Sequence, residues 1–101
     1  MDKNYRGIIW TSHAIDRMLE RGIKQGDAWA TWKRPDSSKF EKTKGVWVYR
    51  RSIDLKSIEV VAKKNSKGRW VILSVWSKKL SLKSPQRTSF LAKIIKKVIR
   101  K

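Results

Sequence analysis

Apolar and polar positions along this chain change period twice, and the changes divide it into elements. Ala14, Ile15, Met18 and Leu19 recur at helical spacing from Ser12 to Arg21, opposite His13, Arg17 and Glu20 at i, i+4 and i+7. Thr11 is the expected N-cap, with Trp10 and Ile15 spaced as a hydrophobic staple around it. Gly22 supplies a left-handed C-cap, beyond which Ile23 can fold back onto the helix. The apolar segment Gly7 to Trp10 reads as an extended lead-in. A second helix starts near Gly26 and Asp27, with Asp27 as cap, and stops by Arg34 because Pro35 disfavours helical geometry in the residue before it. Trp29 and Trp32 lie three apart on one face of that helix, which suits packing against the first. Pro35 to Ser38 reads as a loop.

From Val46 the period becomes two. Val46 to Arg51 is one expected strand, Ser57 to Lys63 a second, and Arg69 to Ser77 a third, with Asn65-Ser66-Lys67-Gly68 as the hairpin joining the last two. Ile58, Val60 and Ala62 share a face, while Val71, Leu73 and Val75 alternate with Trp70, Ile72, Ser74 and Trp76. Both faces are thus partly apolar, as in a sheet with helices on one side and something else shielding the other. Ser84 and Pro85 begin a last helix, whose apolar stripe (Phe90, Leu91, Ile94, Ile95, Val98, Ile99) opposes Lys93, Lys96, Lys97, Arg100 and Lys101. Three roles fit it: cover for the sheet, a helix for a protein partner, or a basic membrane-surface helix.

Composition narrows the class. At 101 residues the length is that of one domain, and the formal charge is +18, from 26 Lys and Arg against 8 Asp and Glu. Residues 1–40 contribute 8 basic and 5 acidic side chains, and the remainder 18 and 3, so the charge gathers in the second part. Self-repulsion on that scale is relieved by a polyanion, and nucleic acid is the default partner; a basic surface that merely solvates the fold is the alternative. The chain has no cysteine, which excludes disulfides, thiolate chemistry and cysteine-ligated zinc. One histidine with scattered carboxylates forms no metal-ligand cluster, and phosphate-loop and dinucleotide fingerprints are absent, so no cofactor is expected. No signal peptide or membrane span is visible, and the expected location is the cytoplasm. Internal repeats are absent. Oligomeric state stays open.

The string Trp10-Thr-Ser-His-Ala-Ile-Asp-Arg-Met-Leu-Glu-Arg-Gly-Ile23, followed by a short helix closed at Pro35-Asp36 and by the strands Ile58 to Ala62 and Trp70 to Trp76, resembles the domain-of-unknown-function family 4258 over about residues 8–78. That family looks like a relative of the RelE and BrnT toxins and of the wider group of metal-independent ribonucleases that includes barnase and the colicin nucleases. The resemblance implies an α+β fold: two N-terminal helices on a curved antiparallel sheet of three to four strands, to which the chain adds a C-terminal amphipathic helix. Residues 1–79 would form the domain, and residues 80–101 the basic helix packed on it. RNA cleavage is the implied activity, and an acidic antitoxin or immunity protein the implied partner. His13 and Arg17 carry over from the motif, with Ser74 and Trp76 where the last strand of such domains presents a hydroxyl and an aromatic ring.

Cleaving RNA without metal needs a base for the 2′-hydroxyl, an acid for the 5′-oxygen and cations for the phosphorane charge. Imidazole is the side chain best suited to exchange protons near neutrality, and His13 is the only one in the chain. His13 is therefore the expected acid or base, Arg17 the phosphate clamp, and the first-turn amides near Ser12 and His13 a cradle for a phosphate oxygen. Tyr49, Ser74 and Arg51 are further candidates, the tyrosine for stacking or proton relay. Arg21, Arg50, Arg51, Lys63, Lys64 and Trp76 complete the expected nucleic-acid surface. Against this stands a bland reading, in which His13 is structural and Arg17 with Glu20 a surface ion pair. A non-catalytic nucleic-acid-binding module and an interaction protein are the rival functions.

Overall fold

The computed structural model describes residues 1–80 of the chain. In chain order the elements are β1 (Asn4–Tyr5), β2 (Ile8–Trp10), α1 (Ser12–Arg21), α2 (Gln25–Lys33), β3 (Ser37–Glu41), β4 (Val46–Ile53), β5 (Lys56–Lys64) and β6 (Trp70–Lys79). All six strands form one sheet in the order β1-β2-β6-β5-β4-β3. Neighbours are antiparallel except β2 and β6, which run parallel.

An antiparallel sheet of three to four strands is therefore incorrect: the sheet has six strands and is mixed. Strands β1 and β2 are two and three residues long, too short for a period to show. Strand β3 has one apolar side chain, Phe40, and four of its five residues are exposed, so composition reads it as loop. The free edge of β4 makes it a strand by pairing with it from Ser37 to Glu41. Parallel pairing of β2 with β6 needs a long crossover, here everything from α1 to β5, and adjacent hairpin signals cannot disclose it. The expected C-terminal helix lies outside the described residues.

Local chemistry sets the ends of α1. Thr11 is extended (φ −70, ψ 159), and its hydroxyl accepts the Ala14 N–H. The same Oγ1 lies 3.1 Å from the carbonyl oxygens of both Ile72 and Leu73, so its one proton ties the helix start to β6. Gly22 takes the left-handed conformation (φ 65, ψ 34), and its N–H and that of Ile23 both reach the Met18 carbonyl. Helix α2 begins one turn earlier than expected, with Lys24 as an N-cap that makes no side-chain bond, and Asp27 lies within its first turn. Gln25 takes over the anchoring: its Nε2 donates to the Asp2 carbonyl at 2.7 Å and its Oε1 accepts the Asp2 N–H at 3.1 Å.

Cross-strand register sorts the two faces. Ile58, Val60 and Ala62 of β5 stand opposite Arg51, Tyr49 and Trp47 of β4, and Val60 and Ala62 opposite Val75 and Ile72 of β6. This face carries the core, closed by Ala14 and Met18 of α1, Ala28 of α2, and Ile8, Trp10 and Ile23. Each fully buried Val, Ile or Met contributes roughly 1.5–3 kcal/mol by leaving water. A bulge between Val61 and Ala62 leaves Leu73 without a partner on β5. The opposite face, with Val48, Arg50, Glu59, Val61, Ser74 and Trp76, takes no part in that cluster. No helix among the described residues is long and apolar enough to cross a membrane.

Candidate nucleic-acid interface

Two hairpins, β3–β4 and β5–β6, turn at the same end of the sheet, because Trp47 at the start of β4 pairs with Ala62 near the end of β5. The core face is not roofed there, and aromatic rings fill the gap. Phe40 and Trp47 are direct cross-strand partners with ring centroids 5.3 Å apart. Trp47 and Tyr49, two residues apart on β4, stack at 6.1 Å with planes 13° from parallel. Tyr49 meets the edge of Trp70 at 6.1 Å, and Trp70 meets Trp32 of α2 at 5.9 Å, which joins the series to the core. Trp47 and Phe40 remain 38% and 46% exposed, so aromatic surface faces solvent rather than completing the interior.

Lys63, Lys64 and these rings enclose a cleft of about 410 Å³. Its side-chain lining is Phe40, Trp47, Tyr49, Trp70 and the two lysines, with no carboxylate, carboxamide or guanidinium. The Lys64 ammonium lies 5.6 Å from the Trp70 ring centroid, within cation–π range. Lys42, Lys44 and Lys67, in or beside the two turns, are exposed. Among the described residues none of these five lysines forms an ion pair; at this end Glu41 is paired with Lys39. Burial pushes the Tyr49 hydroxyl above its ordinary value of 10.0, so the ring enters any complex as a neutral phenol.

A second group of sequence-identified residues gathers along α1 and β6. Thr11 bonds to Ile72 and Leu73, and ten residues later the Arg21 guanidinium sits 3.2 Å from the centroid of the Trp76 ring, so α1 runs alongside β6. Among the described residues the buried Arg21 Nε has no hydrogen-bond partner, and the guanidinium carbon lies over the ring. One turn back, Arg17 Nη1 donates to Glu20 Oε1 at 2.6 Å, an ion pair with both side chains substantially exposed. Ser12 and His13 are exposed on the outside of α1, and the Thr11 hydroxyl occupies the Ala14 amide at the helix start. On the sheet face away from the core, Ser74 pairs with Val61, and Trp76 pairs with Glu59, which in turn forms an ion pair with Arg50.

The residues singled out from sequence therefore separate. Tyr49, Lys63 and Lys64 line the cleft, and no residue of α1 does. His13, Arg17, Arg21, Ser74, Trp76 and Arg50 belong to α1 and the other sheet face. Arg51 joins neither group, since its Nη1 donates to the Arg34 carbonyl at 3.1 Å and fastens the end of α2. Phe40, Trp47 and Trp70 escaped sequence reasoning; the signal that could have found Trp47 was its alternation with Tyr49 beside a lysine-rich turn. Among the described residues no three His, Asp or Glu side chains group as a metal site. The chain matches no protein-family model, no curated protein and no solved structure.

Proposed function

We propose that the protein is an RNA-binding module that engages its ligand at the aromatic and lysine-lined end of the sheet. One observation carries the reading: solvent-exposed indole and phenyl rings beside five lysines that form no ion pair among the described residues, in a chain of charge +18. Lysines neutralise phosphates and release their counterions, while rings offer bases a stacking surface, and the two requirements coincide at one place. The cleft lining of rings and lysines supplies stacking surface and cationic charge, which are the requirements of binding. Titrating labelled RNA against the full chain over a salt series tests it. Log affinity falls linearly with log salt, and Lys63→Ala with Lys64→Ala lowers the slope by about 1 for each phosphate that is no longer neutralised. Affinity indifferent to salt and to both lysines would overturn the reading.

A second reading, metal-independent RNA cleavage, has one observation in its favour. His13, Arg17 and Arg21 occupy successive turns of α1, on the helix that runs beside β6 with Ser74 and Trp76. In such a reaction the 2′-oxygen attacks phosphorus as a base takes its proton, the bond to the 5′-oxygen breaks, and an acid protonates the leaving oxygen. His13 would serve in one of those roles, and Arg17 would exchange Glu20 for the phosphate. An acidic antitoxin would compete for the same cations. Incubation with total RNA in EDTA separates the readings: fragments with cyclic-phosphate ends, abolished by His13→Ala in a protein of unchanged melting temperature, establish cleavage, and intact RNA dismisses it.

A further inference from the structure

We infer that the cleft between the β3–β4 and β5–β6 hairpins takes unpaired bases of a single-stranded nucleic acid and accepts them without regard to sequence. The inference rests on the binding reading above and specifies what that site recognises. Three observations point the same way. The first is the aromatic surface itself. Trp47, 38% exposed, stands between Phe40 and Tyr49, so a base stacked on its solvent-exposed surface extends a series of rings already built. In a duplex the base faces are occupied by their own neighbours, and only the edges reach a groove. A stacking site is therefore available to a strand that is not paired.

The second observation is the size of the space. At about 410 Å³ the cleft falls within the range of roughly 300–1,000 Å³ typical of small-ligand sites, and it opens at the end of the sheet rather than along a helix-wide groove. The third is what the lining lacks. Reading all four base edges takes planar forks of donors and acceptors, supplied by arginine, asparagine, glutamine or a carboxylate, with lysine reaching guanine. The lining offers aromatic rings, the Tyr49 hydroxyl, the Gly45 backbone and two lysines, none of them such a planar fork, so stacking faces and point charges common to all four bases dominate. Lys42, Lys44 and Lys67 stand outside the cleft at the turns, where a backbone entering and leaving it would pass.

The chemistry of stacked bases on a cationic rim is shared by RNA and DNA, and the experiment separates the two sources. Full-length protein is titrated by fluorescence anisotropy with labelled oligouridylate, oligoadenylate, oligodeoxythymidylate and a blunt duplex of mixed sequence, all at one salt concentration. Both RNA strands bind with affinities within a few-fold of each other, and more tightly than the duplex. Trp47→Ala weakens single-strand binding by roughly 5- to 150-fold, the range seen when one stacking residue is removed, and leaves duplex binding unchanged. Trp47→Phe restores most of it. Phe40→Ser, at a second exposed ring, provides an independent variant, and unchanged circular dichroism shows that both retain the fold. Equal affinity for duplex and single strands, or a strong preference for one base, overturns this inference while leaving the binding reading intact. Absence of salt-sensitive binding to every probe overturns both. Tighter binding of oligouridylate than of oligodeoxythymidylate assigns the cleft to RNA, and equal binding assigns it to either strand.

Discussion

Arg21 and Trp76 show how one contact gives two sequence-distant residues a common role. The guanidinium carbon lies 3.2 Å from the indole centroid, with its Nε buried and, among the described residues, without a hydrogen-bond partner. Attraction to the ring is what remains to offset that lost hydration. A double-mutant cycle of Arg21→Ala and Trp76→Ala, read by urea denaturation, should return a coupling of about 0.5–2 kcal/mol. Coupling near zero would mean that the two merely touch. Tyr49 carries a different signature. Its hydroxyl affinity is raised above 10.0 by desolvation, so the folded state holds that proton longer than the unfolded chain does. Stability from this group is complete below pH 10.0 and is lost as pH rises through the folded value. Tyr49→Phe should therefore flatten the alkaline loss of stability relative to the unsubstituted chain, measured as the difference in urea midpoints from neutral pH to beyond pH 10.0. An identical alkaline profile for the two proteins would refute that account.

Element by element, agreement between sequence and structure follows the range of the interactions involved. Helix α1 spans the expected Ser12–Arg21, because its cap, its apolar face and its glycine stop all act within a turn or two. Strands β4, β5 and β6 appear where the period of two placed them, each running one to two residues further at its C-terminal end because pairing extends past the apolar pattern; β4 starts as expected, β5 one residue earlier and β6 one residue later. Strands β1 and β3 were hidden, since backbone partners alone define them. The β4–β5 connection is a further case. Asp54 and Leu55 form its two-residue turn, both with positive φ (50 and 55), and Ile53 pairs with Lys56 across it. Such turns favour Asn-Gly or Asp-Gly, and a leucine in the left-handed region costs about 1–2 kcal/mol. The Leu55 side chain is 59% exposed and contributes little packing in return. Leu55→Gly should therefore raise stability by roughly 1 kcal/mol, less the extra entropy glycine gives the unfolded chain. A lower urea midpoint in the variant would show instead that Leu55 packs usefully.

For the molecule as a whole, charge is the dominant property. The described residues carry 19 Lys and Arg against 8 Asp and Glu, and residues 81–101 add seven more cations. Three ion pairs among the described residues leave most of this excess unbalanced. A chain so charged repels itself, and the repulsion is relieved by screening or by a bound polyanion. Melting temperature should therefore climb with added salt in the absence of ligand. It should climb further with oligonucleotide at low salt, by an amount that grows as RT ln(1 + [L]/Kd). A melting temperature unmoved by oligonucleotide at low salt would contradict nucleic-acid binding at any site on the surface.

Cationic character, the bounds of α1 with its two caps, and the existence of three alternating strands were determined by the sequence alone, because charge is additive and these signals act between near neighbours. Strand number and order, the parallel β2–β6 pairing, and the division of the chemistry-bearing residues between two sites were decided only by tertiary structure. The physical reason is separation along the chain. Thr11 meets Ile72 across 61 positions, and Tyr49 and Trp70 reach one cleft from two different hairpins. Tyr49 lines the lysine-rimmed cleft with Trp70 and no residue of α1 does, so His13 and Tyr49, both candidates by residue type, belong to different groups in the folded chain.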